Sequence, residues 1–264
     1  HASSRLKFAI AALVLSLCAL LTFSRAGDWS DPVTLAVIEA ERHPDSFRAV
    51  YDLGRIQLGM YQLSHDEQTY ASAVRNLLHS ASLDPSSTQP YMGLMRMEYQ
   101  RGREPKAEWK EELLRRYQYT LFHPSEVSTL SHLMQCRIEQ QCDFPRDVVL
   151  EFYQAALANP TVRRYSKAQL MVGLAVFYVN EAGDLVPAMN LLDDAVALYP
   201  REYNFRILRA RIYTLAKRFE EVEEEIRFMR SISVWRDKLK SPVESIDSLE
   251  RAVAQAKQTI VGDP

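Results

Sequence analysis

Proline recurs at a fixed distance behind a small–large–small pattern, and that spacing restricts what this chain can fold into more than any other feature. In AMNLLDDAVALYP, the residues Ala188, Leu192, Ala195 and Pro200 stand four, three and five positions apart. Ala73, Leu77, Ser80 and Pro85 repeat the spacing, as do Val148, Phe152, Ala155 and Pro160, with a larger first residue. Offsets of four and three keep to one face of an α-helix, and small residues on that face let a neighbouring helix come close. Proline cannot extend the hydrogen-bonded ladder, and it biases the residue before it away from helix. Upstream of such helices lie further amphipathic stretches at 50–61, 90–102 and 205–219. Recurrence of this kind predicts helix pairs stacked in series.

Composition agrees with an all-α chain. There are 8 glycines and 12 prolines in 264 residues, so helix breakers are rare enough for long helices to persist. A formal charge of -2, with no Lys/Arg stripe interleaved with aromatics, excludes a surface built for nucleic acid.

These residues resemble the tetratricopeptide repeat (TPR) family, whose pattern places Leu-Gly in the first helix, Gly at the turn, and small, large, small and Pro in the second. Leu53-Gly54, Leu94 with Gly102, and the three proline-ended helices carry the likeness, which covers most of residues 47–231. The expected pairs are 47–85, 88–124, 127–160, 163–200 and 203–231, with a half-pair at 31–43. Three departures stand out. Residues 63–70 read as a lengthened turn; the pair ending at Pro124 shows Glu112, Arg116 and Tyr119 where small residues belong; and the last pair keeps Phe219, Val222, Ile226 and Met229 but lacks the proline. Beyond it, Ser241 as N-cap and Pro242 at the first helical position open a final helix with a narrow stripe of Leu249, Val253 and Ala256, as a polar solenoid cap requires. The resemblance implies a right-handed α-solenoid of about five TPR-like helical hairpins plus a capping helix, behind an N-terminal transmembrane helix. The expected division is 1–26 membrane helix, 27–46 linker and half-repeat, 47–231 solenoid, and 232–264 cap and tail.

The membrane helix is read from residues 8–24, which carry no charge over 17 positions. At 1.5 Å per residue they reach about 25 Å, the short end of a bilayer span. A cleaved signal peptide, with Ala26 at a poor cleavage site, and a buried core helix are the competing readings. A lipoprotein is disfavoured, because Leu17 stands before Cys18 where a small residue is required. With Arg5 and Lys7 ahead of the segment, the positive-inside tendency puts everything after Trp29 outside, although Arg25 opposes it. The expected location is a bacterial inner membrane with the repeats in the periplasm.

Cys136 and Cys142 lie six residues apart, about 9 Å along a straight helix and too far for a disulfide. A bridge therefore needs the helix to end near 139–145, and two unpaired buried thiols remain the alternative. The order of parts from 24 to 55, together with the two cysteines, resembles the C-terminal TPR region of bacterial polytopic membrane proteins, similar in layout to transmembrane-and-TPR O-mannosyltransferases. That resemblance implies glycosyl transfer only for a membrane region outside these residues.

No catalytic constellation, metal site or cofactor site emerges. His132 has no second Cys/His pair at ligand spacing, and no phosphate loop or H-E-x-x-H occurs. His43 and His123 read as cations placed before helix-ending prolines. Asp193, Asp194 and the run Glu220, Glu221, Glu223, Glu224 and Glu225 read as solvated surface. Asn159 sits in Asn-Pro-Thr, which is no glycan acceptor. The residues expected to line a concave partner-binding groove are Arg48, Tyr51, Arg55, Gln89, Met92, Arg96, Tyr99, Asn204, Ile207 and Arg211, with the arginines able to fork onto carboxylates of a protein or peptide partner. The expected function is a non-enzymatic, membrane-tethered, periplasm-facing scaffold that binds a protein or peptide partner, as the C-terminal part of a larger glycosyltransferase-like membrane protein. The alternative is a complete single-pass accessory subunit of an envelope assembly such as pilus or secretion machinery.

Overall fold

The structure, a computed structural model, describes residues 2–29, 31–233 and 241–261. The expected tail at 262–264, the stretch 234–240 and the capping role of the Ser241 and Pro242 side chains lie outside what it describes. Among the described residues the chain is helical without strands: α1 (Ala2–Asp28), α2 (Pro32–Arg42), α3 (Phe47–Ser64), α4 (Glu67–Leu83), α5 (Gln89–Gln100), α6 (Ala107–Tyr119), α7 (Pro124–Ile138), α8 (Arg146–Ala158), α9 (Arg164–Phe177), α10 (Leu185–Leu198), α11 (Tyr203–Leu215), α12 (Phe219–Ser233) and α13 (Ser241–Val261). A π-turn, Tyr178–Ala182, extends α9. Two compact units divide the chain, 1–98 and 99–264, with the boundary inside α5.

In the first unit, α3 and α4 form a tight hairpin, and α2 packs on α3. Ala73, Leu77, Ser80 and Ala81 of α4 are buried. Gly54 shows why the pair is so close: a Cβ there would sit 2.9 Å from Leu77 Cγ and 3.2 Å from the Leu77 backbone nitrogen. The stretch 63–70 differs from the expected lengthened turn. Helix α3 runs on to Ser64, His65 takes the left-handed conformation (φ 54°), and Asp66 caps α4 by accepting from the backbone N–H of Thr69 at 2.8 Å. The extra residues lengthen the helices; the turn itself is two residues, because Asp66 restarts the helix at once.

In the second unit, α9 pairs with α10 and α11 with α12, while α6 packs on α8 and α7 on α9. Ala188, Leu192 and Ala195 are fully buried. In α8 the fully buried small residue is Ala156, with Ala155 only half-buried, since that helix is packed by α6, α7 and α9 together and its buried face is broader than one stripe. The pair that lacked small residues fills its core with Trp109, Leu113 and Tyr117, and Arg116 is buried beside them, its Nε donating to Glu112 at 2.8 Å. Hydrogen bonds from Arg115 hold the Glu112 carboxyl far below its usual range, at about 2. His123 does not end a helix: α6 stops at Tyr119, and His123 precedes Pro124, which opens α7 at a position where its missing N–H is harmless. His43 does end α2, 3.8 Å from Glu39. Ile246, Leu249 and Val253 of α13 are buried against the α11–α12 pair.

Candidate functional site

The candidate groove residues are divided between the units. In the first, Arg48 and Arg55 stand on the exposed side of α3 with Asp52 between them, at 4.0 Å and 3.5 Å. One carboxylate thus serves two guanidinium groups, leaving a net positive charge on that face. Exposed pairs of this kind contribute at most about 1 kcal/mol, so an incoming carboxylate can displace them. Tyr51 is half-buried and stacks on Phe47 at 5.7 Å. Arg96 on α5 is exposed and makes no ion pair among the described residues, and Gln89 is half-buried. Met92 is buried at 9% exposure. In the second unit Asn204 and Arg211 are exposed, whereas Tyr99 packs on Phe144 at 4.9 Å and Ile207 joins the α11–α13 core. Met92, Tyr99 and Ile207 are core side chains and offer a groove ligand little surface.

Glu225 departs from the expectation of a solvated acidic run. It is buried on α12, accepting from Arg206 Nη1 at 2.8 and 3.0 Å and from Arg209, while Arg206 also stacks on the Phe228 ring at 3.6 Å. Arg209 reaches on to Asp193 at 2.9 Å, and Tyr213 donates to the same carboxylate at 2.8 Å. Burial and that bond push the Tyr213 hydroxyl up to about 12. This network ties α10, α11 and α12 together; it consumes its charges internally and offers no reactive group.

A polar cavity of about 510 Å³ opens in the second unit beside the Cys136–Cys142 bridge. Helix α7 ends as bridging requires: Gln140 turns left-handed (φ 55°), its N–H bonds the Arg137 carbonyl at 3.0 Å, and the Gln141 N–H bonds the Cys136 carbonyl at 2.8 Å. That is a Schellman ending, and it brings the two cysteines to a Cα separation of 5.5 Å in a disulfide. The opposite wall is the π-turn, closed by Gly183 at φ 62°. Arg137 spans the gap, donating to Glu181 at 3.3 Å and to the Phe144 carbonyl at 3.0 Å. Asn180 donates its amide to the Val176 carbonyl at 2.8 Å, which leaves its side-chain oxygen as an acceptor. Of this site the sequence signalled only the cysteines. Arg137 and Glu181 are 44 residues apart, and nothing in YVNEAG marks a π-turn.

No family model matches the chain, and no curated protein matches it, so the likeness to transmembrane-and-TPR O-mannosyltransferases gains no support there. Among solved structures it is similar to the crystal structure of the yeast Tom70, with a TM-score of 0.46 and 19% identity over 85% of this chain and 43% of that one. The chain therefore spans less than half the length of that structure.

Proposed function

We propose that the chain is a membrane-tethered helical-repeat scaffold that binds an acidic segment of a protein partner through the first-helix faces of its hairpins. The observation that carries this is the Arg48–Asp52–Arg55 arrangement on α3, where two exposed guanidinium groups share one carboxylate. Side chains in that state are poised to fork onto carboxylates of an extended peptide. The tether is α1, whose span Leu6–Ser24 is apolar, 19 residues long and 0% buried. On this reading Lys7 marks the cytoplasmic end and the helix pairs lie in the periplasm. On the resemblance to TPR-bearing glycosyltransferase-like membrane proteins, the scaffold is the C-terminal part of a larger protein of that layout and recruits a protein or peptide for its membrane region.

Crosslinking in intact membranes, comparing wild type with the Arg55→Glu, Arg96→Glu double variant, tests the proposal. Loss of one defined crosslinked partner in the variant is expected. The same partner captured equally by both would remove the arginine face from consideration.

A further inference from the structure

We propose that the cavity between the disulfide loop and the π-turn is a binding pocket for a positively charged side chain, of the guanidinium class, presented by a peptide. The proposal does not depend on the arginine face of α3, which lies in the other unit. It rests on the inventory of the walls: Arg137, Ile138, Gln140, Cys142, Asp143, Asn180 and Glu181.

Two carboxylates face one guanidinium, so the lining carries an excess negative charge. The Arg137 charge is already engaged, since it donates to one oxygen of Glu181 and to the Phe144 carbonyl. What remains for a ligand is chiefly acceptors: the second oxygen of Glu181, the Asp143 carboxylate, the Asn180 side-chain oxygen and the Gln140 amide oxygen. Acceptors around a surplus negative charge select a cation rich in N–H donors. A guanidinium, with five donors in a planar fork, can satisfy several of them at once.

The alternatives fit less well. Among the described residues no three His, Cys, Asp or Glu side chains converge as a metal ion requires. A sugar ring seeks an aromatic platform for its apolar face, and among the described residues no aromatic side chain lines the cavity. An anion would meet Asp143 and Glu181. The volume is in the range of small-ligand sites and admits an arginine side chain with part of its flanking backbone. The walls are also fixed before binding. The disulfide and the Schellman ending hold one side, and Arg137 braces the other, which lowers the ordering cost of capture.

The test is calorimetry on the full chain in detergent micelles, titrated with acetyl-glycyl-arginyl-glycinamide and with the counterpart in which citrulline replaces arginine. Citrulline keeps the shape and removes the charge. Saturable one-site binding of the arginine peptide is expected, with the citrulline peptide about tenfold weaker or worse. Asp143→Asn, an isosteric change at an exposed position, is expected to weaken the arginine peptide about tenfold, and Asp45→Asn, the same change at an exposed position of the other unit, is expected to leave it unchanged. No saturable heat up to about 10 mM peptide, equal binding of the two peptides, or wild-type affinity in Asp143→Asn would each overturn the proposal.

Discussion

Asn159 shows how much one side chain can hold. It ends α8 and is buried, with its amide donating to the carbonyls of Tyr117 at 2.7 Å and Thr120 at 2.8 Å, where α6 has run out of internal partners. Its side-chain oxygen accepts from the Thr161 N–H and hydroxyl, both at 2.8 Å, and the Thr161 hydroxyl in turn accepts from the Phe122 N–H at 2.9 Å. Removing the amide takes a donor from two carbonyls and an acceptor from two groups of Thr161, four hydrogen bonds in all, each worth about 0.5–1.5 kcal/mol net. Asn159→Ala is therefore expected to lower unfolding stability by about 2–4 kcal/mol, read by chemical denaturation of the detergent-solubilised chain; a loss within the measurement error would show that water replaces the knot. The Asn-Pro-Thr letters exclude glycosylation at this position and say nothing of this role. Glu225 teaches the same lesson, because five acidic residues in a row of six look alike until α11 brings Arg206 and Arg209 to one of them.

At the level of the helix, two glycines on α3 make opposite predictions. Gly54 has Leu77 of α4 against it, including backbone at 3.2 Å, whereas Gly59 has nothing within 4 Å of where a Cβ would stand. Gly54→Ala must push the hairpin apart and is expected to cost about 1–3 kcal/mol. Gly59→Ala only removes backbone freedom from the unfolded chain and is expected to gain up to about 1 kcal/mol. Thermal melts of the two variants should move in opposite directions, and a common direction would mean that the α3–α4 approach is looser than described. The Leu53-Gly54 pair was readable in the sequence for this reason, since a close approach leaves a local mark. So were α4, α8 and α10, whose apolar spacing and closing prolines lie within single segments. The lengthened hairpin at 63–70 was misread because Asp66 as a cap and Asp66 as a loop residue are written with the same letter. The cavity was illegible for a different reason: its walls come from the ends of α7 and α9, and neither a Gln in the left-handed region nor a π-turn has a compositional signature.

For the molecule as a whole, the strongest physical demand comes from α1. Phe8, Leu13, Leu15, Leu17, Leu20, Leu21 and Phe23 are all more than half exposed, and the span they belong to touches no core. At roughly 1.5–3 kcal/mol for each large apolar side chain moved out of water, these seven alone favour an apolar surrounding by about 10–20 kcal/mol. That is as much as the folding stability of a whole domain, so α1 needs cover. The rest of the first unit does not supply it, because α2 directs Ala36 and Ala40 inward and packs chiefly on α3. On the tethered reading proposed above, removing residues 2–24 should release the chain from the membrane pellet after alkaline extraction while leaving its far-UV helical signal per remaining residue nearly unchanged. Leu13→Arg with Leu17→Arg should weaken membrane retention in the intact chain, since each cation near the centre of a span costs about 2.5–3.5 kcal/mol. Mass spectrometry of the protein recovered from whole cells separates an anchor from a cleaved signal. An N-terminus that retains residues 8–24 identifies a lasting anchor, and one beginning just after Ala26 identifies a signal that is cut away, leaving the helix pairs without their tether.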